Sequence, residues 1–133
     1  MLKYCLDSNS VSDLMRANKN ITQNFSIAVD EGCNLYIPSI VRYEVMRGLI
    51  TGGKYGQFRK FNEICDMADY LAFDEKAAEK AIEIYVNLHK GNLIEDNDIY
   101  IAAISMVNDC ILVTGNTRHF ERVEGLNFVN WRE

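Results

Sequence analysis

Residues 3–15 read KYCLDSNSVSDLM. A short apolar run ends in an acid, and small polar residues then lead into a second apolar pattern. Tyr4, Cys5 and Leu6 suit a buried strand, which places Asp7 at its end. Ser8, Asn9 and Ser10 supply capping chemistry for a helix that carries Val11, Leu14 and Met15.

The same alternation continues outward. Ile21–Glu31 predicts a helix that presents Phe25, Ile27 and Ala28 to the core, with Gly32 to stop it. Leu35–Ile37 reads as a second strand ended by Pro38, the single proline. Ser39 reads as the N-cap of a helix with Ile40, Tyr43, Val45, Met46 and Leu49 on its pattern and Glu44 inside it. Phe58, Phe61, Ile64 and Cys65 give another helical face. Tyr70–Phe73 predicts a third strand, and Asp74–His89 a helix built on Ala77, Ala78, Ala81, Ile82, Tyr85 and Leu88. A further helix starts near Asp96–Asp98. Cys110–Thr114 and residues 127–131 close the pattern as strands. Strands alternating with helices predict an α/β fold: a central, mostly parallel sheet of roughly 4–5 strands flanked by helices on both sides. Its length of 133 residues, with 48% hydrophobic and 25% charged, fits one domain over 1–133 with a core of its own.

Composition narrows the function. The apolar runs are too short to span a bilayer, so no membrane association is expected. The opening MLKYCLDSN lacks the apolar stretch and cleavage site of a signal peptide, so the expected compartment is cytoplasmic. Four cysteines, at 5, 33, 65 and 110, form no CxxC pair and no cluster with histidine, and all read as small buried hydrophobes. The net charge of −5 speaks against a non-specific nucleic-acid binder, though not against an enzyme that meets phosphate through a bound cation.

Three acids stand among apolar neighbours: Asp7 in CLD, Glu44 in RYEVM and Asp98 in DIYIAA. Each alone reads as a helix cap or a solvated position. Drawn together, they would repel one another unless a cation lay between them. Oxygen ligands without histidine or thiolate suit a hard cation such as Mg²⁺ or Mn²⁺, which can activate water and stabilise charge on a phosphoryl group.

Four segments, in order, carry a resemblance to the PIN-domain ribonucleases, and in detail to VapC-type toxins of bacterial type II toxin–antitoxin systems. YCLDSNSVSDLM is similar to that family's opening "LDTN" strand, with Ser8 where threonine is common. IPSIVRYEVMRGL matches its glutamate helix, and GNLIEDNDIYIAAISM its "I-x-D-x-D-x-x-IAA" stretch. ILVTGNTRHFERVEGLNFVNW resembles its closing strand, short helix and tryptophan. The resemblance implies a PIN-like fold and a metal-dependent endoribonuclease. Asp7, Glu44 and Asp98 are the implied catalytic and metal-binding acids, and Mg²⁺ the implied cofactor, with Mn²⁺ as a substitute. Asn116 falls on a fourth position that is aspartate in many relatives; a neutral amide there argues for one tightly held ion. Asp96, Ser8 and Thr114 are auxiliary, with Asp96 reaching the waters around the metal. In the implied mechanism, Asp7 and Asp98 hold the ion, and Glu44 completes the coordination or orients the attacking water.

Arg42, Arg47, Lys54 and Arg118 are candidates for contact with RNA, and Arg59, Lys60 and Arg122 extend the same basic rim. Tyr43, Met46, Leu49, Phe58, Phe61 and Met67 exceed the needs of a small core and suit a groove for an antitoxin segment. The family usually forms homodimers and larger assemblies with its antitoxin. Two rivals differ in chemistry. A phosphoryl-transfer domain using Asp7 as nucleophile would need an aspartate where Asn9 stands. A catalytically silent RNA- or protein-binding module would have no use for mutually repelling acids.

Overall fold

The computed structural model describes residues 1–88 and 91–133. Its five strands are β1 (Lys3–Leu6), β2 (Asn34–Pro38), β3 (Asp69–Leu71), β4 (Ile111–Val113) and β5 (Phe128–Val129). They lie in the order β3-β2-β1-β4-β5, and every neighbouring pair is parallel. The sheet is therefore parallel throughout, where the sequence predicts only a mostly parallel one. The helices among the described residues are α1 (Ser8–Met15), α2 (Lys19–Asp30), α3 (Ser39–Thr51), α4 (Phe58–Cys65), α5 (Glu75–Asn87), α6 (Asp96–Val107) and α7 (Thr117–Phe120).

Parallel strands need crossover connections, and helices supply them here. Successive residues of a strand face opposite sides of the sheet. Cys5 and Leu6 are both 0% exposed, as are Leu112 and Val113, so both faces of the sheet centre are covered. α1 packs against α2, α3 and α4, while α5 pairs with α6. α6 is apolar nearly all round: Ile99, Ile101, Ala102, Ala103 and Ile104 are all buried. A helix of that kind belongs inside the fold, and its small alanines let neighbours approach closely.

The strand order reverses beside β1, which pairs with β2 on one side and β4 on the other. Ligand sites in open α/β sheets form beyond the carboxyl ends of the strands at such a reversal. Asp7 follows β1 at that point, and Thr114 follows β4.

Several boundaries differ from the sequence pattern. Asp7 itself is the N-cap of α1, in place of the serines and asparagine after it. Pro38 holds the cap position of α3 and leaves Ser39 as its first helical residue, with no side-chain cap bond. Glu95 stands at the cap of α6, which moves Asp96 and Asp98 into the first turn. The strands predicted over 70–73 and 127–131 are shorter and shifted because pairing with β2 and β4 covers only Asp69–Leu71 and Phe128–Val129. His89, the predicted end of the fifth helix, lies outside the described residues. Gly32 does stop α2: at φ +74° it lets the Cys33 N–H reach the Ala28 carbonyl at 3.0 Å. All four cysteines are free, and Cys33 is only half-buried because it lies in the turn before β2.

The C-terminal residues are tied to the first two helices. Arg132 Nε donates to the buried Asp13 at 2.6 Å, and the amides of Asn20 and Asn24 donate to the carbonyls of Arg132 and Trp131. Trp131 packs on Tyr4 of β1 with ring centroids 4.9 Å apart. Arg132→Ala removes the better of Asp13's two cationic partners and leaves Arg16, at 3.3 Å and mostly solvated. It should lower stability by about 1–2 kcal/mol in a denaturant titration, short of the larger loss expected for a wholly unpaired buried charge.

Candidate active site

Asp7 performs two tasks. Its backbone is extended, and its carboxylate accepts the Ser10 N–H at 2.8 Å, which caps α1. The buried Thr114 hydroxyl, beside this carboxylate, favours its charged form. Ser10 Oγ donates to the Val113 carbonyl at 2.9 Å, which locks the ends of β1 and β4 together. Burial pushes the Asp7 pKa up; the hydrogen bonds from Thr114 and Ser10 oppose that rise, and the nearby charge of Asp98 adds to it.

Glu44 projects from the second turn of α3. Its Oε1 accepts Ser8 Oγ at 2.7 Å and its Oε2 accepts Asn97 Nδ2 at 3.1 Å. One carboxylate thus bridges the starts of α1 and α6. Asp98 lies in the first turn of α6, where the helix dipole favours an anion. Burial raises its pKa, the contact with His119 lowers it, and the charges of Glu95 and Glu44 raise it again. Asn116 follows β4, with its N–H on Thr114 Oγ1 at 2.9 Å.

Asp7, Glu44, Asp98 and Asn116 all line one cleft of about 300 Å³, together with Ser8, Asn9, Glu95, Ile101 and His119. Residues 7, 44, 98 and 116 thus meet in space as the sequence reading expects. Ser8 holds Glu44, and Thr114 follows β4 beside Asp7 and accepts the Asn116 N–H. Asp96 does not take the auxiliary place: it is exposed and absent from the cleft, which Glu95 and Asp98 line instead.

A larger groove of about 820 Å³ shares Ser8, Asn9 and Glu44 with the cleft and runs between α1 and α3. Arg16, Arg47 and Lys54 line it beside Met15, Val45 and Leu49. Arg42 turns away from it to Tyr70, bonding the hydroxyl and stacking over the ring. Arg118 is exposed on α7 and lines neither space. Arg59 pairs with Glu63 at 3.5 Å, and Arg122 reaches the Asn92 carbonyl at 3.5 Å. Of the apolar set expected in a groove, Phe61 and Leu49 are core, Met46 and Phe58 pack against the core, and Tyr43 and Met67 are exposed.

The donor chemistry fits a hard cation: carboxylate and amide oxygens, two raised acids and mutual repulsion at the mouth of a buried strand end. Among the described residues, no three His, Cys, Asp or Glu side chains are grouped so that together they could hold a metal ion. Mg²⁺ does not require three, since it keeps several waters and commonly uses one or two carboxylates. Asp7 and Asp98 would be those two, with Glu44 beside them already engaged by Ser8 and Asn97.

His119 and Glu95, which line the cleft, and Asn97, which donates to Glu44 from beside it, are polar residues that sequence reasoning missed. Their signal was weak: each stands one to three residues from a position already singled out, on a helix whose start the pattern placed only approximately.

Comparison with known proteins follows this geometry. A PIN domain model matches residues 4–126. Ribonuclease VapC2 of Haemophilus influenzae is 33% identical over 98% of this chain and 99% of its own length. The tRNA(fMet)-specific endonuclease VapC of Shigella flexneri is 29% identical over 98% of this chain and 99% of its own. Among solved structures, VapBC2 from Rickettsia felis, bound to a DNA fragment from its promoter, superposes with a TM-score of 0.87. It is 24% identical and covers 98% of this chain and 99% of that one. The fold, the order of the acids along it and these matches agree: the chain belongs to the PIN-domain family, among the VapC ribonucleases.

Proposed function

We propose that this chain is an endoribonuclease toxin that hydrolyses phosphodiester bonds in cellular RNA, arrests growth and is neutralised by a cognate antitoxin. One observation carries the reading: acids 37, 54 and 91 positions apart in sequence (Asp7, Glu44 and Asp98 in pairs) line a single cleft at the point where the strand order reverses. Relatives similar over their full length are named ribonucleases, and structural neighbours are toxin–antitoxin complexes. No helix among the described residues is long and apolar enough to cross a membrane. An antitoxin segment and a second copy of the chain are the partners proposed.

Mg²⁺, or Mn²⁺ in its place, is the proposed cofactor, with Asp7 and Asp98 as its ligands; bound there it would supply activation of water and neutralisation of charge growing on the phosphate. The chain's own part is positional. The Ser10 N–H holds the Asp7 carboxylate. Ser8 and Asn97 hold Glu44 at the cleft mouth, where it can orient the attacking water by accepting a hydrogen bond from it. Asn116 offers a neutral amide near the phosphate, so it adds no repulsion to an incoming anion. The groove explains how RNA approaches a chain of net charge −5: Arg16, Arg47 and Lys54 line a path that opens directly on the acids.

Three outcomes test this. Cleavage of total RNA by the purified chain should require Mg²⁺ or Mn²⁺, stop in EDTA, and fall by at least about a hundredfold in Asp7→Asn and in Asp98→Asn. RNA cleavage by either variant at the parent rate would overturn the assignment; no cleavage by the parent with either metal would leave a silent binding module as the better reading. Without metal, the raised pKa values mean that the folded chain binds more protons than the unfolded one between the ordinary and the raised carboxylate values. Stability in EDTA should therefore fall as pH rises through that window. Asp7→Asn keeps the cap yet carries no charge, so its melting temperature in EDTA at neutral pH should exceed the parent's. Finally, Arg47→Ala with Lys54→Ala should raise KM for RNA roughly 3–10-fold at nearly constant kcat and flatten its salt dependence, read by titrating KCl.

A further inference from the structure

His119 lines the cleft from the short helix α7, half-exposed, and has no part in the proposed reaction. Its Nδ1 lies 3.1 Å from Asp98 Oδ2 and 2.8 Å from Asn116 Nδ2. These two partners make unequal demands. A carboxylate oxygen only accepts, so the hydrogen in the contact with Asp98 belongs to Nδ1. The same nitrogen then has no lone pair for Asn116. The network closes when the amide of Asn116 turns its oxygen to the ring and shares that hydrogen.

The contact links Asp98 to the end of β4. Asp98 contacts His119, His119 contacts Asn116, and the Asn116 N–H donates to Thr114 Oγ1. Asp7 is fixed by its own cap. Asp98 has no such anchor among the described residues; its side chain is held by the His119 contact. Hydrogen bonds that orient a ligating carboxylate matter for metal affinity, commonly by about 10–100-fold.

We infer that His119 is a positioning residue: through Nδ1–H it fixes one oxygen of Asp98, and through Asn116 it ties the ends of α6 and β4 into one rigid wall of the ion site. This rests on the reading of the cleft given above.

The experiment measures binding of Mn²⁺ alone to the whole chain, by electron paramagnetic resonance titration, beside thermal melting in EDTA and RNA cleavage kinetics. His119→Ala should weaken Mn²⁺ binding about 10–100-fold with little change in the EDTA melt, since the ring is half-exposed on a four-residue helix. His119→Asn places an amide N–H near the Nδ1 position and should recover most of that affinity. His119→Gln, whose N–H lies further out near Nε2, should not. Parent-like Mn²⁺ affinity in His119→Ala, or equal loss in the Asn and Gln variants, would overturn the positioning role alone. Failure of the parent to bind Mn²⁺ more tightly than Asp98→Asn would overturn the ion site itself and this role with it.

Discussion

A carboxylate buried at the end of the central strand is the constraint on which this molecule turns. Asp7 is 4% exposed, and its charge is opposed by desolvation and by Asp98. A buried charge of that kind persists only where hydrogen bonds or a counter-charge offset its loss of water. The Ser10 N–H at the start of α1 provides one such bond, and the Ser10 hydroxyl ties that turn to the end of β4 through the Val113 carbonyl. The cap that starts α1 and the acid that serves the site are therefore one group.

From that junction the rest of the site follows. β1 and β4 aim their carboxyl ends at the same point, which brings Asp7 beside Thr114 and Asn116. α3 and α6 converge over it, and the Glu44 carboxylate joins them by accepting from Ser8 and Asn97. The acids accumulate more negative charge than the cleft can comfortably hold in water-poor surroundings. Such a pit raises its own carboxylate pKa values, which is the reason a divalent cation is proposed for it. The groove beside it carries Arg16, Arg47 and Lys54, so the local potential there differs in sign from the chain's net charge.

Much of this is legible in the order of residues. Period-two and period-four patterns place the strands and helices, since burial on both faces demands unbroken apolar runs at β1 and β4 and a nearly all-apolar α6. Asp7, Glu44 and Asp98 stand out because each acid interrupts an apolar neighbourhood. Element ends are less legible: Pro38, Glu95 and Asp7 take cap positions that neighbouring serines and aspartates could have filled equally well on chemistry alone. The basic rim is the least legible. Arg42 and Arg47 differ by five positions on one helix, yet one stacks on Tyr70 and the other lines the groove.

By itself, then, the sequence determined the class of fold, the alternation of its elements and the identity of the three acids, because hydrophobic periodicity and a charge in an apolar run are local properties. Only the tertiary structure decided which polar neighbours serve the site. Ser8 reaches Glu44 across 36 positions and His119 reaches Asp98 across 21. Contacts of that range depend on how parallel strands are ordered and on the angle at which a helix leaves its cap, and neither is written in any short stretch of chain.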